Sequence, residues 1–423
     1  MNSIQASAIP SVSMLRNRHF IFLWSVNLTT TMAIELFTVT ILVAIFQQTD
    51  STLQAAGTMV FRSLPAFLLG PAAGVFTDRF PRKNVIIIMD MIRLVLIGIA
   101  FWFLQGNGEV PVTGIYLILT GLAAADVFHH PARLALIPSL VSRRQLVSAN
   151  SFILVSCQVA MAISYTAGGW LILIAPLRHI ALGVAVLFII SILSALFINV
   201  SERQDKEDGD KKESFRHALV SGWNYLRRHP IARPLTVMET IEHLPHGIWT
   251  GALMLAFTLK ALQGDASDWG YQVTGYFAGM ILGSVGALAV SDWLGHYPGH
   301  IIAVNACATG LLTLAYASSQ AVWIAVAWAF VFGPPNAVRD VAQDALLQGT
   351  VEKGQLGRVY ATREMLRNAM LMFAGVFFAW LSDFVSIRTI YVTGGVIYLM
   401  TGFYAMSNKA LRESNMGDSI REH

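Results

Sequence analysis

Long apolar runs separated by short polar connections constrain this chain more than any other feature of its sequence. A membrane-spanning helix needs about 20 mainly apolar residues, because the hydrocarbon core is about 30 Å thick and a helix rises about 1.5 Å per residue. Twelve segments of roughly this length follow one another: 20–46, 52–76, 84–104, 112–129, 150–174, 180–200, 235–262, 271–293, 301–318, 321–341, 360–384 and 387–406. We therefore predict an all-α integral membrane protein with twelve transmembrane helices.

The overall composition indicates the same class. Of the 423 residues 13% are charged and 55% are apolar, whereas about 25% of the residues in soluble domains are charged. The net charge of +4 is modest and the basic residues collect between the apolar runs. This distribution indicates membrane topology, so we expect the lipid bilayer and no nucleic acid as a partner.

The positions of the basic residues predict the orientation of the chain. Arginines and lysines are enriched in cytoplasmic connections of membrane proteins. Here they fall on alternate connections, in the central linker and in both termini, while the opposite connections carry almost none. We therefore predict a multi-pass protein of the plasma (inner) membrane with both termini cytoplasmic.

The chain divides into two similar halves. Residues 1–200 are predicted to form an N-terminal six-helix bundle, 201–233 a cytoplasmic linker with an amphipathic surface helix, and 234–423 a C-terminal six-helix bundle with a short cytoplasmic tail. A short sequence pattern that recurs in both halves supports the division. Val141 is followed by Gln145-Leu146, and Val351 is followed at the same spacing by Gln355-Leu356. Weak internal symmetry of this kind is typical of transporters built from repeats.

Two motifs carry a resemblance to a known family. The segment after the second apolar run reads Gly74-x-x-x-Asp78-Arg79-x-x-Arg82-Lys83 and resembles the signature loop of the major facilitator superfamily. Similarity to the exporter branch containing the enterobactin exporter and the macrolide efflux pumps is carried by Pro131-Ala132-Arg133-x-Ala135-x-x-Pro138-x-Leu140-Val141. The resemblance implies the major facilitator fold, with two pseudo-symmetric six-helix bundles and no enzymatic activity.

The resemblance also implies a cytoplasmic gate in which the signature loop latches the two halves through charge pairs. Asp126 and Glu364 are the expected partners of its basic residues. The full set assigned to the gate is Gly74, Asp78, Arg79, Arg82, Lys83, Asp90, Arg93, Asp126, Arg363 and Glu364.

Two charged residues lie within the first two apolar runs, where charge is costly. Glu35 and Arg62 are predicted at similar depths in the outer half of the membrane, so we expect them to face one another. Such residues are functional candidates by default. A fixed structural ion pair and a site that exchanges protons are both open at this point.

The seventh apolar run carries the richest polar stripe. Glu239, Glu242, His243 and His246 are spaced to share one face of a helix. Carboxylates and imidazoles in this arrangement suit proton transfer or substrate contact, a structural role, or, less favourably, metal binding. We predict no bound metal or cofactor.

These features predict a secondary exporter of an amphipathic small molecule, of the siderophore or macrolide type, which exchanges it for protons and acts as a monomer. The sequence has no phosphate-binding loop of the Gly-x-x-x-x-Gly-Lys-Ser/Thr kind, so an ion gradient is the expected energy source. A transporter of lysophospholipids, other lipids or metal ions with the same fold, and a non-transporting membrane receptor, are the alternatives.

Overall fold

The computed structural model describes residues 16–105, 111–141, 145–199, 215–249, 251–289 and 297–414. Within these ranges all regular secondary structure is helical, and helical segments occupy all twelve predicted span positions. The side chains of residues 70–79 and of a few other helical positions lie outside the described part.

Six helices are described in the first half. They are α1 (Arg18–Thr49), α2 (Thr52–Arg79), α3 (Arg82–Phe103), α4 (Val112–Leu140), α5 (Leu146–Ile174) and α6 (Leu177–Leu196). Pro81, Pro111 and Pro176 immediately precede α3, α4 and α6. Proline suits these positions because its fixed φ favours the start of a helix and it lacks the N–H that would have no partner there.

The second half begins with the predicted linker helix, here α7 (Phe215–Arg228), and the seventh span follows as α8 (Ala232–His246) and α9 (Gly251–Ala256). A 3₁₀ turn lies at Gly247–Trp249, and a π-helical turn at Phe257–Ala261 ends the span. The other described helices are α10 (Ala266–Ala289), α11 (Pro298–Ala317), α12 (Val322–Thr350), α13 (Lys353–Leu381), α14 (Ile387–Ser407) and α15 (Lys409–Arg412).

The seventh span is not the continuous helix over 235–262 that its apolar run predicts. Pro245 lacks an N–H for the helical ladder, and the α-helix ends one residue later. Gly247 lies so close to α13 that a Cβ there would be 2.6 Å from the Cβ of Ala374. The interruption therefore packs tightly against a neighbouring helix.

Helices α4 and α12 extend further than their apolar runs predict. The sequence places their ends at residues 129 and 341, but the helices continue to Leu140 and Thr350. These extra turns contain polar residues, which hydropathy alone would assign to a connection between two spans. Both helices end before a valine in extended conformation, Val141 and Val351. The sequence pattern that recurs in the two halves is therefore accompanied by the same backbone conformation.

Internal packing divides the chain into two compact units. The first unit comprises Met1–Gln48 and Phe61–Gly209, and the second comprises Thr49–Val60 and Asp210–His423. The first turns of α2 thus belong to the second unit. The boundaries predicted at residues 200 and 233 remain a prediction.

The outer faces of many helices carry exposed apolar side chains. Trp102, Leu117, Phe197, Trp323 and Phe403 are each more than 60% exposed, which a water-soluble protein would not tolerate in such number. Of the described helices, seven are long and apolar enough to cross a membrane by length and composition: Arg18–Thr49, Arg82–Phe103, Val112–Ile137, Phe152–Ile174, Leu177–Leu196, Pro298–Ala317 and Ile387–Ser407.

Candidate functional site

Glu35 of α1 and Arg62 of α2 form a bidentate ion pair in the first unit. Arg62 Nη1 donates to Glu35 Oε2 at 3.0 Å, and its Nη2 contacts Oε1. The carboxylate is buried, while about a third of the Arg62 side chain is exposed. The two residues meet as their predicted depths suggest, and the paired geometry keeps both charges hydrogen-bonded inside an apolar unit.

This pair lies in the wall of a cavity of the first unit, which has a volume of about 500 Å³. One part of its wall is apolar and the other carries charged or titratable side chains. The apolar lining is Ile34, Ala66, Leu119, Leu122, Ala123, Val127, Pro131 and Leu134, and the charged or titratable lining is Glu35, Arg62, Asp126, His130 and Arg133. Thr30, Thr31 and Thr38 also line the cavity. The cavity can therefore accept a molecule with both apolar and polar groups.

Arg133 is a charged residue of this cavity that the sequence did not assign to any site. Its position between the predicted spans suggests a cytoplasmic connection, but the structure places it in the extra turns of α4. The residue is buried, Nη2 lies 3.2 Å from His130 Nδ1, and Nε and Nη1 have no hydrogen-bond partner within the described residues. Buried N–H groups in proteins are nearly always hydrogen-bonded, so these two nitrogens are exceptional.

A buried network connects α3, α4 and α6 behind the cavity. Arg93 donates to Asp90 at 2.8 Å and to Asp126 at 2.6 Å. Asp90 also accepts from Ser191 at 2.6 Å and lies 3.1 Å from His129 Nε2. Asp126 is 41% exposed whereas Asp90 and Arg93 are fully buried, so Asp126 is the member of the network that reaches the cavity.

Two basic residues of the signature loop bind main-chain carbonyls. Arg82 donates to Ala135 O at 2.8 Å, and Lys83 donates to Leu196 O and Ile198 O, each at 2.7 Å. Lys83 therefore binds carbonyls at the C-terminal end of α6, where a positive charge is stabilising.

Of the other residues predicted to form the cytoplasmic gate, the structure describes some and not others. Asp126, an expected partner of the loop, pairs with Arg93. The side chains of Asp78, Arg79 and Glu364, and the surroundings of Gly74, lie outside the described part of the chain. The latch remains a prediction.

The polar stripe of α8 lines a second cavity, of about 180 Å³, in the second unit. Glu239, Glu242, His243 and His246 share it with six residues of α12 and α13: Arg339, Asp340, Gln343, Asp344, Arg363 and Arg367. Arg363 Nε donates to Glu239 Oε2 at 2.7 Å and its Nη2 contacts Oε1. Arg363, assigned from sequence to the gate, therefore belongs to the same cavity as the α8 stripe.

The Glu242 carboxylate has fewer hydrogen bonds than the Glu239 carboxylate. Gln343 Nε2 donates to its Oε2 at 3.1 Å, and Arg339 Nη1 lies 3.6 Å from its Oε1. That oxygen has no hydrogen-bond donor among the described residues. Protonation of Glu242 would therefore break no bidentate pair, in contrast to protonation of Glu35 or Glu239.

The two histidines have different surroundings. His243 Nδ1 lies 2.7 Å from the carbonyl oxygen of Glu239, which requires the proton on Nδ1 and leaves Nε2 as the free nitrogen. The His246 ring lies 5.7 Å from the His243 ring. Within the described residues, no group of three or more histidine, cysteine, aspartate or glutamate side chains is arranged to hold a metal ion.

Sequence reasoning missed the neutral polar residues that complete these sites. Ser191 and Gln343 each donate a hydrogen bond to a buried carboxylate. A single serine within an apolar run is common where helices pack together, so the sequence gave no sign that Ser191 contacts Asp90.

Comparison with known proteins supplies the family. The sequence model of the Major Facilitator Superfamily matches residues 23–337, which is about three quarters of the chain. The chain belongs to the Major Facilitator Superfamily. Superfamily members are transporters, so the protein is a multi-pass membrane transporter and not an enzyme.

Relatives of this superfamily member cover nearly its whole length. The MFS-type transporter YjbB of Bacillus subtilis (strain 168), itself described as uncharacterized, is 26% identical over 89% of this chain and 92% of its own. Macrolide efflux protein A of Streptococcus pyogenes is 21% identical over 90% and 93%. A crystal structure of the nucleoside transporter NupG aligns with a TM-score of 0.72 at 11% identity, covering 92% of this chain and 98% of that one. The structural match shows the twelve-helix fold.

Proposed function

We propose that this transporter is a secondary exporter of an amphipathic small molecule, of the macrolide or siderophore type, and that it exchanges this molecule for protons by alternating access. It would lie in the plasma (inner) membrane with both termini cytoplasmic and act as a monomer. The observation that carries the proposal is the cavity of about 500 Å³ whose wall is part apolar and part charged.

The polar groups of this cavity suit a substrate rich in hydrogen-bond acceptors. Arg133 lines the cavity, and the partly exposed Arg62 presents its guanidinium beside Glu35. The apolar lining would cover the hydrophobic part of the molecule. Macrolides and siderophores combine apolar surface with many oxygen acceptors, and a macrolide efflux protein is among the distant relatives.

Glu242 is the group that we assign to proton exchange. Glu35 and Glu239 are each held by an arginine through two hydrogen bonds, which favours the charged form. Glu242 has one oxygen without a hydrogen-bond donor in the described part of the chain, and it faces a polar cavity. It can therefore gain and lose a proton with little rearrangement of its neighbours.

The experiment uses the purified chain in liposomes that contain a trapped pH indicator, with erythromycin and enterobactin as probes. We expect an imposed proton gradient to drive uptake of at least one probe and probe movement to release protons. Arg133→Gln should raise KM for that probe about tenfold. Glu242→Gln should abolish proton release while leaving probe binding intact.

The control is Glu413→Gln, because Glu413 is exposed near the C-terminus and pairs only with Lys409 and Arg412 among the described residues. It should transport like the wild type. A probe that binds without crossing the membrane or moving protons would favour a receptor. Proton-coupled transport at wild-type rates in Glu242→Gln would refute the assignment of the proton site.

A further inference from the structure

A group of five residues at the junction of α7 and α8 has no role in the function proposed above. Trp223, Asn224, Arg227, Arg228 and Arg233 line a recess of about 450 Å³. We propose that this recess binds the headgroup of an anionic phospholipid, whose acyl chains lie along the outer face of α8.

The recess is held in place by contacts on the opposite side of α7. Leu226 is buried in the core of the second unit, and the amide of Glu352 donates to the Tyr225 hydroxyl at 3.3 Å. Just after the helix, His229 Nε2 lies 3.0 Å from Thr350 O. The described end of α7 is thus fixed to the α12–α13 connection, and the arginines are held near one another.

The charge of the recess matches an anion. Among the described residues that line it, the charged side chains are three arginines and none is acidic. Within the described residues, none of the three guanidinium groups makes an ion pair or hydrogen bond. Arginine binds phosphate oxygens through two parallel N–H groups, so three unpaired guanidiniums around one recess suit a phosphodiester.

The outer face of α8 identifies the phosphate as part of a lipid. Among residues 232–241 the exposed positions are Arg233, Val237 and Ile241, spaced four residues apart on a single stripe. Val237 is 42% and Ile241 37% exposed. Arg233 therefore lies where an apolar face begins, as a headgroup lies at the boundary of the hydrocarbon layer.

Trp223 fits the same boundary. It is 45% exposed beside the arginines, and tryptophan is enriched at the membrane–water interface because its ring is apolar and its N–H is polar. A free phosphate would use the arginines and leave both Trp223 and the apolar stripe unexplained.

The test measures lipid retained by the purified full-length chain in nanodiscs of phosphatidylcholine containing 10% phosphatidylglycerol. We expect phosphatidylglycerol to be enriched on the wild-type protein. Each arginine near an anionic headgroup contributes about fivefold in affinity, so Arg227→Gln/Arg228→Gln/Arg233→Gln should weaken binding about 100-fold. The triple lysine variant should retain part of the affinity because it keeps the charge.

The matched control removes three positive charges elsewhere, as Arg178→Gln/Lys409→Gln/Arg412→Gln, and should bind phosphatidylglycerol like the wild type. Melting temperatures of all variants verify folding; the substituted side chains of the recess are exposed, so we expect no change. Soluble glycerophosphoglycerol and inorganic phosphate should compete poorly, because neither contacts Val237 and Ile241.

Three results would overturn the proposal. Equal retention by the triple glutamine variant and the wild type would exclude the recess as the site. Efficient competition by inorganic phosphate would indicate a simple anion site. Enrichment that appears only after the acidic residues of 202–213 are changed to amides would mean that the linker occupies the recess.

Discussion

Arg363 of α13 binds Glu239 of α8 through both Nε and Nη2 of its guanidinium group. Both side chains are about 96% buried, so the pair is a fixed contact between two helices of the second unit. Buried pairs of this kind are strongly destabilised when a single partner is removed, because the other charge then lacks compensation.

Loss of one partner of this pair should therefore cost more than loss of both. We expect Arg363→Gln to reduce the free energy of unfolding by about 3–5 kcal/mol, and the double variant Glu239→Gln/Arg363→Gln to be more stable than that single variant. Unfolding of the purified protein by SDS in mixed micelles measures the cycle. Additive effects of the two substitutions would contradict the direct pairing.

Asp90 and Asp126 share Arg93 but should respond differently to substitution. Asp90 is fully buried and is contacted by Arg93, Ser191 and His129, so Asp90→Asn should lower the free energy of unfolding by about 2–3 kcal/mol. Asp126→Asn should cost about 1 kcal/mol or less, because the side chain is partly exposed. Its main effect is expected on transport, measured in the same liposomes. The reverse order of stabilities would contradict the network.

A glycine in α10 allows close approach of α12, and its substitution should be costly. A Cβ on Gly279 would lie 2.0 Å from the carbonyl oxygen of Phe330, whereas a Cβ on Gly286 of the same helix would meet nothing within 4 Å. We expect Gly279→Ala to lower stability by about 2–3 kcal/mol through overpacking. Gly286→Ala should be neutral or stabilising by up to about 1 kcal/mol. Equal melting temperatures for the two variants would contradict this crossing.

The connection before α10 provides a pH-dependent prediction outside the spans. Burial raises the pKa of the Asp265 carboxyl, but hydrogen bonds from the Ser267 hydroxyl and from the amides of Asp268 and Ser267 outweigh it and hold the pKa below its usual range. Because the folded-state pKa is the lower one, this stabilisation is present above about pH 4 and is lost as the pH falls further.

Asp265→Ala should accordingly lower stability by about 1 kcal/mol at neutral pH, as expected for loss of a helix cap. The difference from the wild type should shrink below about pH 4, which melting curves across pH can measure. Asp265→Asn retains an acceptor and should lose less. A difference that stays constant at all pH values would exclude the carboxylate as its cause.

The sequence determined the fold class of this protein, and the reason is physical. A helix that crosses lipid must satisfy its own backbone and expose apolar side chains, so hydropathy and length identify the spans. The positions of all twelve spans, and the superfamily implied by the motif around Asp78, were available from sequence. Hydropathy failed in the extra turns of α4 and α12, where polar residues face a cavity instead of lipid.

Tertiary structure decided most of the pairings between charged residues. The sequence placed Glu35 opposite Arg62 from their depths, but it separated Arg363 from Glu239 and assigned Arg133 to a connection. Helical spacing gives the face of one helix and carries no information on which neighbouring helix that face meets. Partners as far apart as Glu239 and Arg363 are fixed only when the helices pack, because burial then requires each charge to find its complement.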